Sequence, residues 1–158
     1  MLESAKLETA ASPLARFGAS RRDVALGLIS ASMVASALLA AIAAATTAAL
    51  AHDPTAPSIA VDAFTSGWIG ALTAFAYAAL FAFGATFGAK GGDRFWALGF
   101  DLFFGGTGGV AALLASRAHA QNLLGGEPPM LLGQPTSAAL LVVIAVSFTG
   151  FALARSNP

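Results

Sequence analysis

The chain has 158 residues, which is enough for one domain and too few for two. Hydrophobic residues make up 57 % of it and charged residues only 10 %, whereas soluble domains contain about 45–50 % apolar and about 25 % charged residues. Eight Lys and Arg balance eight Asp and Glu, so no basic excess is left for binding nucleic acid, and the absence of Cys excludes disulfides and thiolate metal sites. These figures exclude a water-soluble globular enzyme and predict an integral membrane protein.

Four apolar stretches are each long enough to cross about 30 Å of hydrocarbon as a helix. In chain order they are residues 24–51, 63–89, 95–116 and 136–154. Proline, glycine and charged residues separate them, at 52–62, 90–94 and 117–135. Their Ala- and Leu-rich composition favours helices over barrel strands. We therefore predict an all-α protein with a cytoplasmic, basic and amphipathic segment over residues 1–23, followed by a domain of four transmembrane helices over residues 24–158.

The distribution of Lys and Arg predicts the orientation of these helices. If the N-terminus is cytoplasmic, seven of the eight basic residues lie on the inner side, and only Arg117 lies outside. Cytoplasmic loops carry an excess of Lys and Arg, so both termini are expected in the cytoplasm. The Ala-Leu-Ala sequence at 49–51 resembles a signal-peptidase site, but the apolar run before it exceeds the usual 7–15 residues. We interpret that run as the first membrane span.

Small residues at four-residue spacing predict close packing between helices. Gly84 with Gly88 and Gly105 with Gly109 form two Gly-x-x-x-Gly pairs, which are typical of tight helix–helix contacts in membranes. Stripes of Ala, Ser and Gly run along the first two spans, although a chain this rich in Ala can produce such stripes by chance.

Asp101 is the one ionisable residue inside a predicted span. It follows Arg94 by seven residues, about 10 Å along a helix, a depth that water could reach. One interpretation is a polar group that lines a path or anchors a helix–helix contact. The other is a hydrated carboxylate, or one paired with a basic neighbour. The Gly-Gly-Thr-Gly-Gly run at 105–109 weakens the helix and allows a bend or an unwound segment.

The predicted outer segment, residues 117–135, is too apolar for an ordinary loop and suggests a short re-entrant or interfacial segment. His119 lies in it, and His52 lies in the other outer loop. Two histidines without a set of carboxylates do not make a metal site, so we predict no metal and no cofactor. Surface histidines are the simpler interpretation; a haem or chlorin ligand is the alternative. No nucleotide-binding, nucleophile or zinc motif occurs, so we expect no enzyme activity in this chain.

Three stretches of the chain, residues 13–28, 66–101 and 117–141, resemble the permeases of type-2 ATP-binding-cassette exporters. Residues 13–28 (PLARFGASRRDVALGL) resemble their basic cytoplasmic element before a membrane helix, and residues 66–101 resemble the next helix pair. Residues 117–141 resemble the outer hairpin entering the last helix, which ends here at Arg155. Such permeases have six spans in each half. The resemblance implies that the chain would correspond to the later four spans, with the first pair missing or supplied by another polypeptide.

The resemblance implies a membrane-embedded exporter component, in a bacterial inner membrane, energised by a separate ATPase subunit. The candidate contacts with that subunit are Phe17, Arg21, Arg22, Asp23, Lys90 and Arg94. Read from the residues alone, the arginines are topology determinants attracted to anionic lipid. The alternative function is a non-catalytic structural subunit of a larger electron-transfer or photosynthetic complex. Either function implies the lipid bilayer and other membrane subunits as partners, and no nucleic acid.

Overall fold

The computed structural model describes Gly18 and residues 20–53, 55, 58–87, 94–107 and 109–155, with only the backbone of Arg21 and Arg94. Its α-helices are α1 (Arg21–Leu50), α2 (Ile59–Gly84), α3 (Arg94–Phe104), α4 (Ser116–Leu123) and α5 (Gln134–Arg155). Two short 3₁₀ helices, Val110–Leu114 and Pro129–Leu131, lie on either side of α4. The described residues contain no strand, so the predicted all-α class is confirmed for them.

Three of these helices, α1, α2 and α5, are long and apolar enough to cross a membrane. They correspond to three of the four predicted spans. The predicted third span, residues 95–116, is not a single helix, because α3 has only 11 residues and ends at Phe104, where the glycine-rich run allows a bend or an unwound segment. A turn follows it, and the backbone then forms the 3₁₀ helix at 110–114 before α4 begins. The glycine-rich run interrupts this segment because each glycine weakens a helix by about 1 kcal/mol relative to alanine.

A side-chain cap defines the beginning of α1. The backbone N–H of Asp23 donates to the hydroxyl of Ser20 at 3.1 Å, and that hydroxyl donates to the Asp23 carboxylate at 2.5 Å. The first bond satisfies one of the N–H groups that have no partner inside the helix, and the second holds the Ser20 hydroxyl in place. From this cap α1 continues without a break for 30 residues, or about 45 Å. That length exceeds the hydrocarbon thickness of a bilayer by about 15 Å.

Small residues bring α1 and α2 into close contact. A Cβ atom added to Gly70 would lie 2.8 Å from the Cβ of Ala44 and 3.0 Å from the carbonyl oxygen of Ala40. One turn away, a Cβ on Gly67 would lie 3.3 Å from the Ala41 carbonyl oxygen. The small-residue stripes that the sequence places on these two helices therefore meet at Gly70, where the absence of a side chain allows the backbones to approach.

The core lies where α2 packs between α1 and α5. Ile69, Ala76, Leu141 and Ile144 are among its buried residues, and Met33 joins it from α1. Phe83, near the end of α2, packs against Phe148 and Phe151 near the end of α5, so these two helices run in the same direction.

Large apolar side chains cover the outside of the bundle. On α1, Leu38, Leu39 and Ile42 are 60–70 % exposed, and on α5 Val146 is 66 % exposed. Contiguous apolar surface of this kind is rare on soluble monomers and is typical of a surface that faces lipid or another apolar partner. Together with the three long apolar helices, it indicates a membrane-embedded protein.

The two predicted Gly-x-x-x-Gly pairs differ in outcome. Gly84 is buried at the end of α2, whereas Gly88 lies outside the described residues. The interpretation of Gly105 and Gly109 as a helix-packing pair is wrong, since both follow the end of α3 and a Cβ on Gly109 would meet nothing within 4 Å. Gly105 is buried in a close contact of a different kind, described below.

Candidate functional site

Asp101 joins three helices at the interruption of the third segment. Its side chain lies on α3 and is only 1 % exposed. One carboxylate oxygen accepts a hydrogen bond from the hydroxyl of Tyr77 on α2. The other accepts from the backbone N–H of Arg117, in the first turn of α4, at 3.1 Å. Of the interpretations that the sequence leaves open for Asp101, the anchor of a helix–helix contact agrees with this geometry, because the side chain links three helices and is shielded from solvent.

The position of Asp101 explains how a carboxylate is accommodated there. Tyr77 lies seven residues before the end of α2, and Asp101 lies seven residues after the start of α3. Because the two helices form an antiparallel pair, this equal spacing places both side chains at the same level, about 10 Å from the helix ends. The first N–H groups of α4 have no partner within that helix and carry partial positive charge, which favours a carboxylate beside them.

Gly105 permits α3 and α4 to meet at this point. A Cβ on Gly105 would lie 2.4 Å from the carbonyl oxygen of Asp101 and 2.8 Å from the Cβ of Arg117. Both distances are shorter than real Cβ contacts. The Asp101 oxygen belongs to the last turn of α3 itself, whereas the contact with Arg117 lies between the two helices, so a side chain here would force them apart. Glycine at this position therefore allows the Asp101 carboxylate to reach the N–H group of Arg117.

Two buried hydroxyl groups on the helices that meet at Asp101 lack a hydrogen-bond partner among the described residues. They belong to Thr73, one turn before Tyr77 on α2, and to Ser116, the fully buried residue that opens α4. Residues four apart lie on the same face of a helix, so Thr73 and Tyr77 share a face. Buried polar groups without partners are uncommon in native structures and call for a specific explanation. We refer to Thr73, Tyr77, Asp101, Ser116 and the Arg117 N–H as the Asp101 cluster.

A second buried polar group ties α4 to α5. The ring nitrogens of His119 lie 3.0 Å from the carbonyl oxygen of Leu113 and 3.1 Å from the hydroxyl of Ser137. The carbonyl can only accept, so Nε2 carries a proton, and in the neutral ring Nδ1 accepts from Ser137. The amide nitrogen of Asn122 donates to the same hydroxyl at 2.8 Å, and the Gln134 amide donates to the Asn122 carbonyl oxygen at 3.1 Å.

The interpretation of the histidines as surface residues is wrong for His119, which is fully buried. Its helix is part of the bundle interior, and protein atoms engage both ring nitrogens. Ser137 is fully buried too, so the Ser–His pair connects helices and does not face an open site. His52 is half-buried near the end of α1, and its Nδ1 lies 3.8 Å from the Asp62 carboxylate.

The predicted partner-contact residues do not form one described surface. Arg22 and Asp23 are exposed in the first turn of α1, next to the Ser20 cap. Arg21 opens α1 and Arg94 opens α3, each with only its backbone described. Two further predicted contacts, Phe17 and Lys90, lie outside the described residues.

Sequence reasoning found Asp101 and missed its partners. Tyr77 is the one tyrosine of the chain and stands in an apolar span, a signal that was available and unused. Arg117 contributes a backbone N–H, which no side-chain pattern reveals. The sequence also does not predict the buried hydrogen bonds of Ser137, Asn122 and Gln134, because polar residues near the ends of spans are common and usually face water.

Within the part of the chain that the structure describes, no group of three His, Cys, Asp or Glu side chains could hold a metal ion. No protein family, curated protein or solved structure matches this chain. The site itself is a buried carboxylate at a break between two short helices.

Proposed function

We propose that the chain is the membrane-embedded permease component of an ATP-driven exporter of the type-2 ATP-binding-cassette class, energised by a separate nucleotide-binding subunit. The observation that carries the proposal is the interruption of the third segment at Gly105, with the Asp101 carboxylate buried at the break. In a membrane, non-helical backbone is tolerated only where protein or a water-filled cavity surrounds it. Interrupted helices and ionisable residues at this depth are typical of substrate and ion paths.

The proposal includes four membrane segments, with α3 and α4 together as the third. Asp101 connects the two helices on one side of the break. At the other end of α4, the Gln134 amide donates to the carbonyl oxygen of Asn122, next to the start of α5. The chain thus passes from the level where α2 ends to the level where α5 begins. An even number of segments puts both termini on one side, the cytoplasmic side of a bacterial inner membrane by the count of basic residues.

In the proposal, α1 transmits motion from the ATPase to the membrane. Its capped start carries the exposed Arg22 and Asp23, and its 30 residues form one continuous helix. The first part of such a helix extends about 15 Å beyond the hydrocarbon, within reach of a cytoplasmic subunit. Close packing at Gly70 couples α1 to α2, so a tilt of α1 moves α2, which carries Tyr77. Rigid-body movement of this kind is a common form of switching.

The test is gentle extraction of the tagged chain from its native membrane, followed by mass spectrometry of the proteins that remain bound. We expect a stoichiometric nucleotide-binding subunit that hydrolyses ATP in the complex. Replacing both Arg21 and Arg22 with Ala is expected to reduce that hydrolysis while membrane insertion stays unchanged. Replacing both with Lys keeps the charge for topology and is the matched control.

Co-purification of haem, chlorin or quinone proteins without an ATPase would overturn the proposal. It would favour the alternative of a structural subunit in an electron-transfer or photosynthetic complex. The apolar outer face of α1, with Leu39 70 % exposed, would then be the natural surface for a neighbouring subunit. Unchanged ATP hydrolysis in the Arg21→Ala, Arg22→Ala protein would remove these residues from the coupling path.

A further inference from the structure

A groove of about 430 Å³ opens between α3 and α5. Both helices pack against α2, and the groove is the space left between them. Its lining is almost entirely apolar and includes Phe83 at the end of α2, Phe87 three residues after that helix, Trp96 and Ala97 from α3, and Phe148 from α5. This volume and this lining are typical of sites that bury an apolar ligand.

Aromatic packing holds the wall of the groove in place. The ring of Phe83 lies 5.2 Å from that of Phe148 and 4.9 Å from that of Phe87, the latter edge to face. These distances are in the range that aromatic pairs prefer. Because the rings support one another across two helices, the groove is formed without a ligand. A flexible apolar chain can enter it without rearranging the bundle.

One end of the groove carries a cation. Arg155, in the last turn of α5, is exposed, and its guanidinium carbon lies 4.1 Å from the centre of the Phe87 ring. Trp96, in the first turn of α3, is 79 % exposed at the same end of the bundle. Trp is enriched where hydrocarbon meets lipid headgroups, and Arg near a helix end attracts anionic headgroups. The groove therefore combines an apolar interior with a positively charged end at headgroup level.

We propose that this groove binds an acyl chain of an anionic membrane phospholipid, with Arg155 contacting the headgroup phosphate. The apolar lining accommodates the chain, and a guanidinium group matches the geometry of phosphate oxygens. In a zwitterionic lipid the ammonium group of the headgroup offsets the phosphate charge, so Arg155 gains less from it than from a headgroup with a net negative charge. A second protein helix is a poor fit, because about 430 Å³ corresponds to only about one turn of a helix. This inference does not depend on the exporter proposal.

The test uses the full-length protein in nanodiscs that contain equal amounts of phosphatidylglycerol and phosphatidylcholine. After transfer to mild detergent, native mass spectrometry measures which lipid stays bound. We expect phosphatidylglycerol to be retained about fivefold over phosphatidylcholine, the preference that one basic residue near the surface provides. Arg155→Gln is expected to bring this ratio close to one, whereas Arg155→Lys keeps most of it.

A second pair of variants tests the groove itself. Ala97→Trp fills the groove, and Ala139→Trp places the same side chain on an exposed position of α5. Ala97→Trp is expected to abolish the retained lipid, and Ala139→Trp to leave it unchanged. Equal retention of the two lipids by the wild-type protein would overturn the proposal. So would retained lipid in Ala97→Trp, and if that variant does not fold, the Arg155 pair still decides.

Discussion

Breaking the link between Tyr77 and Asp101 should destabilise the bundle in a non-additive way. The side chains belong to different helices and share one hydrogen bond, and the acceptor is only 1 % exposed. Tyr77→Phe removes the donor, Asp101→Ala removes the acceptor, and the double substitution removes both. Each single change leaves a buried polar group without its partner, whereas the double change leaves neither of these two, so its cost should be smaller than the sum of the single costs.

The structure sets the magnitudes. Asp101→Ala also leaves the Arg117 N–H without its acceptor, and each unsatisfied buried donor costs about 1–3 kcal/mol. We therefore expect Asp101→Ala to lower the free energy of unfolding by about 2–4 kcal/mol. Polar contacts within membranes average about 0.6 kcal/mol and reach about 1.7 kcal/mol, because the unfolded chain in lipid finds other partners. A buried carboxyl acceptor belongs in the upper part of that range, so we expect a coupling energy of about 1–1.7 kcal/mol.

The assay is unfolding of the purified protein in mixed micelles with a rising fraction of denaturing detergent, followed by helical circular dichroism. Glu127→Gln, at an exposed loop position, is the control for loss of a carboxylate and should change stability by less than about 0.5 kcal/mol. Asp101→Asn keeps an acceptor for the Arg117 N–H and should cost less than Asp101→Ala. A coupling energy indistinguishable from zero would refute the link, and equal costs for Asn and Ala would refute the role of the Arg117 bond.

Three further substitutions test the packing of the bundle in the same assay. Gly70→Ala places a Cβ 2.8 Å from the Cβ of Ala44 on α1. It should lower the free energy of unfolding by about 1–2 kcal/mol relative to Gly27→Ala, which has the same gain in helix propensity but meets nothing within 4 Å. Equal stabilities of the two variants would contradict the close contact. Gly105→Ala should cost about 2–4 kcal/mol, because its Cβ would meet backbone at 2.4 Å, and Gly106→Ala, which meets nothing within 4 Å, should be tolerated. His119→Ala opens a cavity, removes the donor to the part-buried Leu113 carbonyl and leaves Ser137 with only its bond from Asn122, so about 2–4 kcal/mol should be lost. A loss below about 1 kcal/mol would show that α4 is held by other contacts.

The long helices could be predicted from the sequence because their physical cause is local. A run of about 20 apolar residues without a charge forms a helix in lipid whatever its neighbours are, since every backbone group must be satisfied within the segment. Prolines at 54 and 57 follow α1, and the boundary predicted there differs from the observed end by one residue. For α2 the predicted range is shifted by four residues at the start and five at the end. Hydropathy locates the apolar run, but it does not show at which residue a helix begins or ends.

The position of Asp101 could also be predicted, because one charge in an apolar run is conspicuous. The residues that surround Asp101 could not be predicted from the sequence. The distance along α3 gave a depth that water could reach, but exposure depends on what packs around a residue, and here α2 and α4 close over the carboxylate. The same reason explains His119, because the apolar character of residues 117–135 suggests a re-entrant or interfacial segment but does not show that His119 is buried against the other helices.

The sequence by itself therefore determined that this is an all-α chain with long apolar helices, and that a glycine-rich run weakens the third segment. Only the tertiary structure decided where that segment breaks and what the break contains. Glycine merely permits a helix to end, and it permits many other conformations equally well. Helix α3 ends at Phe104 because a bare Cα at Gly105 lets α4 approach, and because the N-terminal N–H of α4 satisfies the Asp101 carboxylate. That pairing joins residues from separate helices, so it exists only once the bundle has formed.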